Sequence, residues 1–183
     1  MSAAPATEFH QFLETAASAS LGPSSRDGCL PVAKLERALA PLWKRPQEKP
    51  ERKDLIRALL FLWHDHLDHG HEIAQNIHTP EGSYVHGIMH RREPDSSNAK
   101  YWFHRVGPHP AFSVIAQRAG SLASSDLEKR VLARIVPSQE LDPFAFIDAC
   151  ERSRRSAPEE DPFLRQIQKT EFAVLLEYFV SAK

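Results

Sequence analysis

The sequence predicts an all-α protein, a single-domain multi-helix bundle built around an antiparallel central helix pair. Two observations carry this. Apolar residues recur at helical spacing along most of the chain, while runs of alternating β-branched residues, the mark of strands, are missing. Prolines and glycines, in turn, stand where helices begin and end. In "TPEG", "LDPFAF" and "EDPFLR" a capping residue (Thr79, Asp142, Asp161) precedes proline. The side-chain oxygen accepts an N–H that no earlier turn can satisfy, and proline supplies a helical φ where a missing N–H does no harm. Gly107 and Gly120 each close a periodic segment.

Taken in order, periodic segments give helices at 6–18 and 31–42, separated by a loop at 19–29. After the loop "KRPQEKP" comes a long helix at 51–78, stopped by Thr79-Pro80, and then 80–93, which starts there. Asp95 reads as the N-cap of 96–106, which ends at Gly107. Helices 110–119 and 126–136 follow, the first stopped by Gly120. Asp142-Pro143 opens 143–155 and Asp161-Pro162 opens 162–181, with "RRSAPEED" between them too short and polar to separate domains. The expected unit is one domain over 1–183, with 1–5 and 19–29 flexible or loop.

Composition narrows the function classes. A chain of 183 residues, 42% apolar and 26% charged, is long enough for one sizeable core. A net charge of −1 argues against a whole-surface nucleic-acid binder, so no nucleic-acid partner is expected. The N-terminus "MSAAPATEFH" has no basic head or apolar run, and "ALLFLW" and "FAVLLEYFV" are too short to span a bilayer. Cys29 and Cys150 are isolated, without metal-binding spacing. The expectation is a cytoplasmic protein with free thiols and no membrane partner.

Histidines supply the functional signal. Nine of the ten lie between His64 and His109, and "HDHLDHGHEIAQNIH" alone holds five. On a continuous helix of about 100° per residue, Leu55, Ile56, Leu59, Leu62, Trp63, Ile73, Ala74 and Ile77 form a core face. Asp54, Asp65 and Glu72 fall toward solvent. His64, Asp68, His71, Gln75 and His78 form a third stripe at the boundary of the buried face. In the next helix Tyr84, Val85, Ile88 and Met89 share one side, while His86, His90 and Glu93 share another. A short turn makes the two helices antiparallel neighbours. Counting outward from it, Gln75 is level with His86, His71 with His90, and Asp68 with Glu93.

Imidazoles and carboxylates meeting this way are ligands for a divalent metal such as Zn, Fe or Mn. The expected metal ligands are Asp68, His71, His90 and Glu93, with His64 and His86 as candidate general bases because imidazole titrates near neutral pH. "HEIAQ" falls short of the HExxH zinc motif, since Gln75 replaces the second histidine and Glu72 faces solvent. His66, near the centre of the apolar face, and His69, toward its edge, are left out of the site. His66 is expected to be neutral and hydrogen-bonded, because an unpaired buried charge is costly. His10 is remote.

Downstream, Ala99, Trp102, Phe103 and Val106 point inward, and Asn98, Tyr101 and Arg105 share another side. Arg91, Arg92, Asn98, Lys100 and Tyr101 form an expected ligand-binding surface, suited to a carboxylate or phosphate group, with His109 in a loop able to close over the cleft. "GSYVHGIMHRREPDSSNAKYWFHRVGPHP" resembles the signature block of an uncharacterised microbial protein family, and "LWHDHLDHGHEIAQ" resembles its companion block. Together they cover about a third of the chain. Trp63, His64, Asp65, His71, His86, His90, Arg91, Arg92, Glu93, Asn98, Lys100, Tyr101, Trp102 and His109 match the pattern; His104 stands where that family more often has Arg. The resemblance brings no activity, cofactor or substrate with it.

Three functions remain open at this point. The first is a metal-dependent enzyme, hydrolase-type or O2-using, acting on a small molecule. The second is a metal-free module binding a small anion through Arg91, Arg92, Lys100 and Tyr101. The third is a structural or interaction protein whose polar seam is incidental.

Overall fold

The computed structural model describes residues 5–44 and 50–181, and it is all-α: no strand occurs among the described residues. Helix α1 (Pro5–His10) runs into a 3-10 turn (Gln11–Leu13). After a long loop come α2 (Val32–Leu39) with a 3-10 extension (Ala40–Lys44), α3 (Pro50–Trp63) and α4 (Leu67–Ala74). Then follow α5 (Pro80–Arg92), α6 (Ser96–Val106), α7 (Ala111–Gly120) and α8 (Asp126–Ile135). The chain closes with α9 (Pro143–Arg155), a 3-10 turn (Pro158–Glu160) and α10 (Asp161–Ser181). No helix among them is long and apolar enough to cross a membrane, and both cysteines are free.

The cap signals work as the sequence suggests at three sites. Thr79 accepts from the Gly82 N–H, Asp95 from Asn98, and Asp142 from Phe144 and Ala145. Asp161 differs: a 3-10 turn feeds α10 directly, and its carboxylate takes Arg165 one turn on instead of a backbone N–H. Helix α8 opens with a capping box in which Ser125 and Glu128 satisfy each other's backbone N–H groups.

Two expected helices are shorter. The first ends at Leu13 rather than residue 18. Beyond it the Thr15 hydroxyl donates to the Ala17 carbonyl, which the Arg26 guanidinium also reaches, so the polar groups of this loop are satisfied by side chains. The expected helix 51–78 is two helices. Asp65 sits at φ +65°, in the left-handed region that usually calls for glycine. The Asp65 N–H bonds to the Leu62 carbonyl and the His66 N–H to that of Phe61. This is the paired 5→2 and 6→1 closure of a Schellman cap, with its usual apolar contact supplied by the Phe61 and His66 rings, 6.2 Å apart. Helix α4 therefore sets out in a new direction and folds back against α3. The approach is close: a methyl group on Gly70 would lie 2.6 Å from Leu62 Cδ2.

Asp65 is held in that conformation from outside the helix. Its side chain, 1% exposed, accepts from Arg26 Nη1 (2.9 Å), the Arg26 N–H (3.0 Å), Arg92 Nη2 (2.7 Å) and the Cys29 thiol (3.2 Å). Arg92, fully buried at the end of α5, also donates to the carbonyls of Leu62 and Gly22. One buried carboxylate thus ties the loop after α1, the α3–α4 corner and α5 together. The placement of Asp65 toward solvent is corrected here: on an unbroken helix it would face outward, but the cap turns it in.

Helix α10 runs through the core and packs on α1, α3, α7 and α9. Phe172 meets Trp63 at 5.2 Å between ring centroids. Buried Glu171 pairs with buried Arg91, whose guanidinium lies 4.3 Å over the Phe146 ring. Helices α5 and α6 lie close together, and Gly87 makes this possible, because a Cβ there would be 2.8 Å from the Phe103 ring. Gly87→Ala is expected to destabilise the fold by about 1–3 kcal/mol through overpacking. Chemical denaturation checks this; an unchanged midpoint would mean that α6 yields freely.

Candidate metal centre

Three histidines converge. His71 comes from α4, and His86 and His90 stand one turn apart on α5. Their ligand atoms all lie within 4.8 Å of one another, the only such group among the described residues. Ring centroids are 4.6 Å apart for His71–His86, 5.6 Å for His71–His90 and 5.0 Å for His86–His90. His71 thus sits between His86 and His90, half a turn from the register counted along an unbroken helix. The early end of α4 and the turn after Ala74 account for the shift. Helix α4 ends four residues early, and the chain from Gln75 to Thr79 packs so tightly that a Cβ on Gly82 would stand 2.1 Å from the Ile77 carbonyl.

Neighbours hold the two rings of α5. Glu93, which caps α5, places Oε2 3.2 Å from His90 Nδ1. A carboxylate only accepts, so Nδ1 carries the proton and Nε2 the lone pair; Asn98 Nδ2, from α6, lies 3.1 Å from that Nε2. Trp102 stacks on His86 at 3.8 Å, with the planes 14° apart, and the Arg105 guanidinium lies 5.4 Å from the indole. His86 is 3% exposed, and its Nδ1 has no hydrogen-bond partner among the described residues. Burial, and then the charges of His71 and His90, push His86 down to about 3. Burial also lowers His90, against the pull of Glu93. At both His86 and His90 burial wins, which favours the neutral imidazole, the state that ligates metal.

The other residues singled out from the sequence are scattered. Of the expected metal ligands, Asp68 is exposed one turn before His71 and outside the cluster, and Glu93 backs His90 from the far side of its ring. His86, expected as a general base, belongs to the cluster itself. His64, the other expected base, is buried elsewhere: its Nδ1 accepts from the Leu30 N–H at 3.1 Å. The basic surface drawn through Arg91 and Arg92 is corrected, since both are spent in buried ion pairs with Glu171 and Asp65. Lys100 pairs with Asp148 at 2.6 Å, whereas Tyr101 is 54% exposed. His109 does not close over the cleft; it is buried among Tyr84, Phe112 and Tyr178, and its Nδ1 accepts from the Ala111 N–H.

His66 does bond to a polar partner, the Leu30 carbonyl at 2.8 Å, but from the cap of α3 rather than from the middle of an apolar face. His69, His78 and His104 are exposed, and His10 lies beside Ala173 and Glu177 on α10. Trp102 was expected in the core, and its role as the face of His86 has no periodic signal, since Trp is read as core first. Glu171, Gln168 and Arg26, which hold Arg91 and Asp65, lie at least 39 residues from their partners, beyond the reach of local spacing.

His64 carries a pH prediction. Burial, and then Arg26 and His66, depress it to about 4, against 6.5 when unfolded. The unfolded state therefore binds more protons between these values, so stability is full above about 6.5 and falls as pH drops toward 4. The shift corresponds to roughly 3 kcal/mol. His64→Gln is expected to remove that share of the acid slope in denaturant titrations at pH 7, 6 and 5. Parallel slopes in the two proteins would show that His64 contributes none of it.

No family model, no curated protein and no solved structure matches the chain, so its chemistry is read from its own geometry.

Proposed function

We infer that the chain is a metal-dependent hydrolytic enzyme whose ion, of the zinc class, is held by His71, His86 and His90. One observation carries the reading: three imidazoles from two helices place their ligand atoms within 4.8 Å, and the buried His86 Nδ1 is without a partner among the described residues. A buried polar atom left unpaired costs free energy, and a metal would remove that cost.

The donor set favours one class of chemistry. Three neutral imidazoles suit zinc, and a three-histidine zinc site keeps a fourth position for water or substrate. Iron centres that activate O2 commonly take two histidines and a carboxylate, and no carboxylate belongs to this cluster. Bound there, zinc would bring water toward a pKa of about 7 and polarise a substrate oxygen. Glu93 fixes the His90 tautomer as carboxylates do behind metal-bound histidines, a contact typically worth 10- to 100-fold in metal affinity.

The test is cobalt substitution. Co2+ should bind one to one, give visible bands of a nitrogen-ligated four- or five-coordinate ion, and shift them when azide occupies the open position. Because Trp102 stacks on His86, its fluorescence should be quenched on binding; Trp102→Phe should lose the quenching and keep the bands. The zinc form should hydrolyse p-nitrophenyl acetate faster than the metal-free form. No stoichiometric metal and no chelator-sensitive turnover would end this reading.

A further inference from the structure

Helix α6 covers both histidines of α5. Its Trp102 stacks on His86, and Asn98, one turn earlier on the same face, brings its side-chain amide to His90. An i, i+4 pair on one helix thus lies over an i, i+4 pair on the other, in antiparallel order. The two covers differ in chemistry: Trp102 presents an aromatic face, whereas Asn98 presents a hydrogen-bond donor. We propose that Asn98 is a catalytic residue of the histidine centre, whose amide donates to the oxygen in the fourth coordination position and favours it as hydroxide. The proposal rests on the zinc reading above for the oxygen, and on the placing of the amide for the donor.

The amide stands where such a donor is needed. Nδ2 lies 3.1 Å from His90 Nε2 and 3.3 Å from His90 Nδ1. The two ring nitrogens flank a single carbon, so an atom this near to both and in the ring plane would collide with the ring. Nδ2 therefore stands over the face of the imidazole and leaves the in-plane lone pair of Nε2 open to a metal. An ion about 2.0–2.1 Å out along that lone pair would be roughly 4 Å from the amide nitrogen, close enough for an oxygen bound to the ion to accept from it.

Its orientation and its mounting agree with this use. Nε2 holds the lone pair, so the amide atom nearest it has to be the donor, and Nδ2 rather than Oδ1 faces the centre. Asp95 accepts the Asn98 N–H at 3.1 Å, the cap that opens α6, and so holds the backbone from which the amide projects. The in-plane edge of His90 at Nδ1 is already held by Glu93. Of these neighbours, Glu93 only accepts and Trp102 turns its ring face to His86, which leaves the amide as the donor.

A neutral amide gives the oxygen a hydrogen bond and no proton. Such a bond is stronger to hydroxide than to water, so it lowers the pH at which the nucleophile forms.

The experiment compares wild type with Asn98→Ala, Asn98→Leu and Ser97→Ala. Leucine keeps the shape of asparagine and lacks the donor. Ser97 is the neighbouring residue, whose hydroxyl donates to Asp95 and not to a histidine. Azide affinity and the pH midpoint of the visible bands are read in the cobalt forms, and the pH profile of p-nitrophenyl acetate hydrolysis in the zinc forms. All four proteins should bind one ion. Azide should bind about tenfold more weakly to both Asn98 variants, the loss of one hydrogen bond to a charged group. The midpoint and the pH profile should move up together by about one unit, the same tenfold factor. Ser97→Ala should follow the wild type.

Unchanged azide affinity and midpoint in the Asn98 variants overturn the donor role while the zinc reading stands. Wild-type behaviour in Asn98→Leu alone shows that filling the space over His90 is what matters, and overturns it as well. Loss of cobalt from both Asn98 variants would make the residue a support of the ring instead of a partner of the oxygen. A wild type that takes up no cobalt overturns the metal reading, and the proposal falls with it.

Discussion

Zinc is expected to raise the melting temperature of the wild type, and alanine at His71, His86 or His90 to abolish the gain. A ligand that binds only the folded state stabilises it by RT ln(1 + [L]/Kd), about 2.7 kcal/mol at a hundredfold excess over Kd. For a chain of this size that corresponds to roughly 5–11 °C. The three ligands act on one ion, so double replacements should lose no more of the zinc effect than single ones. His86→Ala is the sharpest of the three. Its ring is buried, with an unpartnered Nδ1, and without zinc its loss removes an unsatisfied atom and leaves a void beneath Trp102. The variant should therefore be less stable than wild type with zinc, by more than the difference seen without it. His10→Ala, beside Glu177 on α10, should keep the full zinc shift. Thermal melts with zinc and with chelator decide the matter. Identical curves for wild type in both conditions would remove the metal from the account.

The reach of sequence reasoning here follows from which forces are local. Caps and stops are local: Thr79, Asp95, Asp142 and Gly107 act within a few residues, and each marks a real helix end. The pairing of His71 with His90 was legible because a short turn forces neighbours together and the i, i+4 spacing holds on any helix. The third histidine of the cluster, His86, was counted level with Gln75 because the counting carried the helix on to residue 78, whereas α4 ends at Ala74; the break at Asp65 was hidden as well. Nothing in "WHDHLD" announces a break, for it has neither glycine nor proline. What breaks the helix is tertiary: Arg26, 39 residues away, and Arg92, 27 residues away, make the left-handed turn at Asp65 favourable. The two arginines misled for the same reason. A charged side chain is read as surface until its buried partner is found, and Glu171 lies 80 residues from Arg91.

Replacing Asp65 separates the backbone from the charge at that corner. A left-handed residue closing a Schellman cap is usually glycine, and an aspartate there carries conformational strain. On backbone grounds alone, Asp65→Gly should stabilise the protein by up to about 1 kcal/mol. On electrostatic grounds it should be strongly destabilising. The substitution strands Arg92, which is fully buried, and removes the acceptor for two Arg26 hydrogen bonds and the Cys29 thiol. Breaking a buried pair by deleting one partner typically costs 3–5 kcal/mol, several times the strain relieved. The expected net loss is therefore about 3 kcal/mol. Asp65→Asn keeps the shape and one acceptor and should lose less; Asp65→Ala adds left-handed strain to the lost charge and should lose most. Adding Arg92→Met to Asp65→Gly removes the stranded cation, and the double variant should recover part of the loss. Urea denaturation of the four variants reads the order directly. If Asp65→Gly is as stable as wild type or more so, the cap alone makes the corner, and the carboxylate between Arg26 and Arg92 is not what aims α4 at the histidines of α5.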